Sequence, residues 1–369
     1  MPLILLPPPP GTPPPDLSRR DCPAREAPPA GDRWNGQEYE TSTAYHVRKE
    51  RGTKHVSVFE KTRWEGELLD AEAYFGHIGY EGERAPTLGV LRALHRAHVT
   101  ALPWENFNAV LGKPIGTDLA TVQEKFLREG RGGYCYEHNV LFAAVLERLG
   151  YRFTALHGRI TLGADKVLPA THALLAVRTA DDERTWLCDV GFGSGPLEPL
   201  ELRDGTEAEF DGWRYRLVRN ESTATVATLG HGDEKADVSG LGDWWLHQYG
   251  PDGWIDRSTF TLNPQYPIDY VVGNHFVATH PRSPFTRRLF AQRFTAARAE
   301  QLDNAVWSTT LPDGTKTERT IEPAELRKIL REVFDIELAP EDAAALEQSV
   351  VRNLSEARDP SEAGERDGE

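Results

Sequence analysis

Residues 131–149 read Arg131-Gly132-Gly133-Tyr134-Cys135-Tyr136-Glu137-His138-Asn139-Val140-Leu141-Phe142-Ala143-Ala144-Val145-Leu146-Glu147-Arg148-Leu149, and Gly150 follows. Leu141, Phe142, Val145, Leu146 and Leu149 fall at the spacing of a buried helical stripe, and Gly150 is a stop signal. Two glycines ahead of Cys135 let the backbone turn sharply into the helix start. After Gly150 the period changes. Arg152–Ile160, His172–Arg178 and Arg184–Val190 are strand-like runs with turn-forming residues between them. The chain thus passes from helix to sheet at Gly150, with Cys135 at the head of the last helix.

Upstream, Leu69–Phe75, Thr87–His98 and Leu119–Leu127 carry helical spacing, and Pro103 ends the second run. Downstream, Trp213–Arg219 and Thr223–Thr228 read as further strands, and Gly191-Phe192-Gly193-Ser194-Gly195-Pro196 as a loop. Helix returns with Leu326, Ile329, Leu330, Val333 and Phe334. The first thirty residues hold eleven of the 26 prolines, so residues 1–63 read as an extended, solvated segment. Residues 347–369 are expected to form an acidic, unstructured tail.

The net charge of −15 lacks the basic footprint of a nucleic-acid binder. No apolar run reaches bilayer length, so no membrane partner is expected. Three scattered cysteines, Cys22, Cys135 and Cys188, fit neither a disulfide framework nor a CxxC zinc site, so no metal is expected. A reducing cytoplasm suits free thiols.

A thiol at a helix N-terminus meets the positive end of the macrodipole and unpaired N–H groups, which favour thiolate over thiol. Such a nucleophile needs a base, and the base an orienting group. His172 opens one strand and Asp189 closes the next. If Thr179 pairs with Asp182, His172 lies directly opposite Asp189; a shift of one leaves them near neighbours. A carboxylate in an apolar strand calls for a partner. His138, three residues beyond Cys135, is expected to point away from the thiol as a packing or surface residue. Cys188 alternates onto the opposite face from Asp189, and no spacing argument brings Cys135 to His172.

Together these residues resemble the arylamine N-acetyltransferases. Arg131-Gly132-Gly133-Tyr134-Cys135-Tyr136-Glu137-His138-Asn139 is similar to that family's RGGxCxExN motif, and Asp189-Val190-Gly191-Phe192-Gly193 to its DVGFG motif. Thr171-His172 resembles its histidine strand. Leu102-Pro103-Trp104-Glu105-Asn106-Phe107 resembles its PFEN segment, with Trp104 where Phe is usual. Pro264-Gln265-Tyr266-Pro267 and Asn274-His275-Phe276 also fit.

The resemblance implies an α+β fold in three parts. These are a helical bundle carrying the cysteine over 64–150, an antiparallel β-barrel-like domain over 151–270, and an α/β lid over 271–346. It implies a cysteine-protease-like triad of Cys135, His172 and Asp189. It also implies acetyl-coenzyme A as cosubstrate and ping-pong transfer to a small arylamine, arylhydrazine or N-hydroxyarylamine. By the same resemblance Glu105 and Arg131 form a supporting ion pair. Gly191, Gly193, Ser194 and Gly195 lie near the coenzyme, and Phe192 faces the acceptor. Two alternatives share the triad: an amide synthase closing a macrolactam from a carrier-bound thioester, and a thiol hydrolase or transglutaminase-like enzyme.

Overall fold

The computed structural model describes residues 64–164, 166–220 and 243–358. The proline-rich 1–63, the strand expected over 223–228 and the chain beyond 358 lie outside these. Helices α1 (Ala71–His77), α2 (Leu88–Ala101) and, beyond the short α3 (Phe107–Val110), α4 (Leu119–Gln123) are capped by Asp70, Thr87 and Asp118, whose side chains accept from Ala73 N, Val90 N and Thr121 N. The third predicted helix is split between two registers: α4 runs directly into a wider π-helical turn over Glu124–Arg128. Helix α5 (Cys135–Leu149) ends at Gly150, which takes the left-handed conformation at φ 84°.

The expected stripe on α5 is only part of its buried surface, because every residue from Cys135 to Leu146 is buried. The helix lies between the other helices and a sheet. Tyr74, Leu91, Leu94, Phe126 and Phe142 share one core with Ala173, Leu175 and Val177 of strand β3 (His172–Arg178). Leu174 and Ala176, alternating on β3, enter a second core. Burial on both faces explains why β3 is apolar almost throughout.

The remaining strands of that sheet are β2 (Arg152–Ile160), β4 (Thr185–Cys188), β5 (Leu200–Glu201), β6 (Glu207–Phe210), β7 (Trp213–Asn220), β8 (Asp243–Gly250) and β9 (Gly253–Phe260). They form an antiparallel, barrel-like sheet in the order β5-β4-β3-β2-β9-β8-β7-β6, filled by Leu156, Leu187, Trp213, Tyr215, Leu217, Trp244, Leu246 and Phe260. Strands β8 and β9 were not expected; their aromatic residues fall on both faces and blur the alternation.

Helix α6 (Pro267–Thr279) leads to β10 (Phe290–Phe294), β11 (Ala299–Asp303), β12 (Val306–Thr310) and β13 (Lys316–Thr320). These make a second sheet whose far edge is β1 (Trp104–Glu105), from the helical part of the chain. Helices α7 (Leu326–Glu332) and α8 (Pro340–Arg358) cover it through a third core that includes Phe107, Leu330, Phe334, Leu346 and Val350. The acidic tail expected from residue 347 is corrected here. Helix α8 continues to Arg358 because Leu346, Ser349 and Val350 keep a buried face. No described helix is long and apolar enough to cross a membrane.

Candidate active site

Cys135 is the first residue of α5, and the loop before it is clamped from below. Glu105 N of β1 donates to Gly133 O at 2.9 Å. A Cβ at Gly132 would lie 1.7 Å from Pro103 O, so no larger residue fits. Glu137 folds back to accept from Tyr134 N at 3.0 Å, over a Gly133 whose Cβ would meet that carboxylate at 2.4 Å. Under the loop lie two carboxylates and two cations. Arg131 reaches Glu105 at 2.7 Å, and Lys125 reaches Glu137 at 2.7 Å and Glu105 at 3.3 Å, all buried. Burial opposes ionisation of Glu105, yet the Lys125 and Arg131 charges outweigh it and hold its carboxyl below the usual range. The same balance, with Glu105 and Glu137 outweighing burial, raises Lys125. The sequence pointed to Glu105 and Arg131; Lys125 carried no signal, since a lysine on a helix is ordinarily exposed.

His172 Nε2 lies 2.9 Å from each carboxylate oxygen of Asp189, and both side chains are buried. The pairing differs from both expected registers. Leu175 pairs with Cys188 and Arg178 with Thr185, two residues out from the register that sets His172 opposite Asp189. Asp189 sits just past the end of β4, so the contact is diagonal, on the face that carries Leu174 and Leu187. With Nε2 held by Asp189, the other ring nitrogen, Nδ1, is not engaged by the carboxylate. Burial alone would lower the imidazole pKa. The Asp189 charge and hydrogen bond, with those of Cys135, outweigh it and raise His172 to about 10. The Cys135 thiol also lies 3.6 Å from Thr171 O.

Asn139 supplies the approach that strand spacing could not show. Its Nδ2 donates to Cys135 O at 2.9 Å and to Ala173 O at 2.8 Å, pinning the first turn of α5 to the start of β3. Gly191 packs on the same point, where a Cβ would lie 2.6 Å from both Cys135 Cα and Asn139 Nδ2. Trp104 donates its indole N–H to Gly191 O at 2.8 Å, a bond that phenylalanine at this position could not make. Gly191→Ala is therefore expected to cost about 1–3 kcal/mol by overpacking and to lower Tm by a few degrees. Thermal melting alongside the rate of thiol alkylation checks this; a variant as stable and reactive as the parent would contradict the packing.

Phe192 stands edge-on to His172 with centroids 5.5 Å apart. Gly193 packs against Gln292 and Trp104, and Gly195 against Phe192 and the Asp189 carbonyl. Ser194 Oγ accepts from Arg257 Nη2 at 2.8 Å. Cys188 is fully buried beside α5, and burial pushes its thiol well above the usual value.

His138 is neither a surface residue nor simple packing. Its Nε2 lies 3.3 Å from Pro103 O and its Nδ1 3.0 Å from His98 Nε2, while His98 Nδ1 lies 2.9 Å from Tyr74 Oη. The Pro103 carbonyl can only accept, which fixes the direction: Tyr74 donates to His98, His98 to His138, and His138 to Pro103. Burial pushes His138 down to about 4 and His98 well below its ordinary value, so the chain is neutral. It holds the carbonyl on which Gly132 rests.

A thiol at a helix N-terminus, beside an imidazole oriented by a carboxylate, is the arrangement of enzymes that pass an acyl group through sulfur. The comparisons narrow that class to the acetyltransferases: the profile of the N-acetyltransferase family matches residues 87–343. The arylamine N-acetyltransferase of Mycolicibacterium smegmatis is 36% identical over 227 residues, covering 60% of this chain and 75% of the relative. The structure of the Nocardia farcinica arylamine N-acetyltransferase superposes with a TM-score of 0.71 at 51% identity, over 78% of this chain and 96% of that one. That of Mycobacterium marinum arylamine N-acetyltransferase in complex with CoA gives 0.66 at 30% identity, over 77% and 99%. The chain belongs to the arylamine N-acetyltransferase family and is an acyltransferase.

Proposed function

We propose that this protein transfers an acetyl group from acetyl-coenzyme A to an arylamine, arylhydrazine or N-hydroxyarylamine in two half-reactions through Cys135. The convergence of Cys135, His172 and Asp189 carries this reading. Cys135 attacks the thioester carbonyl, and coenzyme A leaves as thiol with a proton supplied by His172. The first-turn amides of α5, which have no intrahelical acceptor, face the developing oxyanion. The amine nitrogen then attacks the acetyl-cysteine, His172 takes a proton, and the amide departs. Asp189 keeps Nε2–H engaged so that Nδ1 serves the sulfur. Arylamines are weak bases and stay unprotonated near neutrality, so their lone pair is available.

The relative solved with CoA supports the donor. Gly191, Gly193, Ser194 and Gly195 are assigned to the coenzyme side of the site and Phe192 to the acceptor side. A cavity of about 720 Å³ runs beside β2 and β9, lined by Gly158, Arg159, Trp245, Thr259 and Phe260 among others. None of Cys135, His172, Asp189 and Phe192 lines it, so the acceptor is not assigned to this cavity. We place the reaction in the cytoplasm, where a free thiol persists. Purified protein given acetyl-coenzyme A and an arylamine is expected to release free coenzyme A and the acetylated amine in equal amounts. Release of neither, across a panel of arylamines and hydrazines, would sink the reading.

A further inference from the structure

Glu137 holds the start of the nucleophile helix with one oxygen and a buried cation with the other. Its Oε2 accepts from Tyr134 N at 3.0 Å, closing the first turn of α5, while Oε1 takes Lys125 Nζ at 2.7 Å. Glu105 is secured without the lysine, by Arg131 at 2.7 Å and by Phe107 N at 2.6 Å, so the 3.3 Å contact from Lys125 is an addition there. Lys125 is the one cation on Glu137 among the described residues. The two carboxylates and two cations beneath the loop balance only with it present.

The backbone is built to bring this lysine in. In the π-helical turn Glu129 N donates to Glu124 O at 3.0 Å, and turns of this kind are rare and concentrate at functional sites. Here the turn buries the consecutive residues Lys125 and Phe126, although a lysine is seldom buried without a charge to meet. The Lys125 carbonyl also accepts from Arg131 N at 3.0 Å, which ties the turn to the approach to Cys135.

We infer that Lys125 is a positioning residue for acyl transfer. As the counter-ion of Glu137 it keeps that carboxylate on Tyr134 N, and so aims Cys135 and the first-turn amides of α5 at the thioester carbonyl. The inference rests on the acetyl-transfer reading above. Three charged groups face Glu137 from other elements: Lys125 from the π turn, Glu105 from β1 and Arg131 from the loop. On α5 itself Tyr134 and Cys135 precede it, and His138 is turned to Pro103 O and pushed down to about 4 by burial. Burial, with Glu105, outweighs Lys125 and keeps the Glu137 carboxyl above its usual range. Without Lys125 the carboxylate is a lone buried anion. At low pH it takes a proton and stays in place; at higher pH its charge draws it toward water and off Tyr134 N. With both charges removed, an amide at 137 still accepts from Tyr134 N and nothing is left to neutralise.

The test follows single-turnover acetylation of Cys135 by intact mass at saturating acetyl-coenzyme A, from mildly acidic to mildly basic pH. The proteins are the parent, Lys125→Met, and Lys125→Met combined with Glu137→Gln. In Lys125→Met acylation is expected to slow by about ten- to a hundredfold at basic pH, the scale of a small misplacement of reacting groups. The deficit should shrink toward acidic pH, and the affinity for acetyl-coenzyme A should not change. The double variant should recover most of the loss and drop the added pH dependence. A lysine that only stabilised the fold would lower Tm without bending the pH profile. A parent-like rate in Lys125→Met, a deficit equal at every pH, or a double variant as slow as the single would overturn the inference. Where Lys125→Met does not fold, the double variant decides: folded and fast supports the pairing, unfolded or slow overturns it. If the parent forms no acetyl-enzyme, the transfer reading fails. Alkylation of Cys135 by iodoacetamide then tests the clamp by itself, through the thiolate that the α5 terminus stabilises, with the same order of rates expected and equal rates overturning it.

Discussion

Cys135→Ala is expected to form no acetyl-enzyme and to lose turnover by about four orders of magnitude or more, the usual scale when a covalent nucleophile is removed. The parent, given acetyl-coenzyme A without acceptor, is expected to gain one acetyl mass that maps to the peptide bearing Cys135. The fold should survive the change. The position of α5 is set by Glu137 on Tyr134 N, by Asn139 on Cys135 O and Ala173 O, and by Gly150, none of which uses the sulfur. Cys188 provides an internal control. It is fully buried and held as the thiol, so it should take no acetyl group. Full turnover in Cys135→Ala, or an acetyl adduct that maps to Cys188, would overturn the thioester route. Cys135→Ser separates the thiolate from its geometry: it keeps a donor of similar size but loses the reactivity of sulfur, and should stay near the alanine variant.

What was legible beforehand was whatever the chain writes locally. The α5 stripe, its Gly150 stop and the apolar β3 run carry their own periods. His172 and Asp189 stood out as polar ends of apolar strands. The register was not legible, because the six residues Thr179–Arg184 are not a free turn. They dock on the head of α2, where Ala180 N donates to Pro86 O at 2.8 Å and Asp181 accepts from Leu88 N at 2.9 Å. A tertiary anchor, which turn rules cannot see, sets the loop and shifts the ladder by two. Even so the diagonal contact survives, since a shift of two keeps both side chains on one face. Lys125, Asn139 and the Tyr74–His98–His138 chain were hidden for a related reason. Each is a polar residue on a helix whose partner lies far away in sequence, so nothing local separates it from a solvated position.

Asp189→Asn is expected to slow acylation of Cys135 by about 10²–10⁴-fold with the backbone unchanged. The carboxylate supplies charge as well as a bond. An amide retains an acceptor for Nε2–H but leaves burial opposed by Cys135 alone, so the His172 pKa should fall from about 10 toward its free value. The variant imidazole should then titrate at lower pH than the parent's, a difference that its Cε1–H resonance reports directly. The sign for stability follows from the same shift. A folded-state pKa raised above 6.5 contributes stability that is fully present below about pH 6.5 and is lost as pH rises through about 10. The Tm gap between the parent and Asp189→Asn should therefore be widest at or below pH 6.5 and close toward pH 10. A gap that widens with pH, or a His172 resonance titrating near 10 in both proteins, would mean that Asp189 does not hold the proton on His172. In that case the thiol would have to be activated by the helix terminus alone.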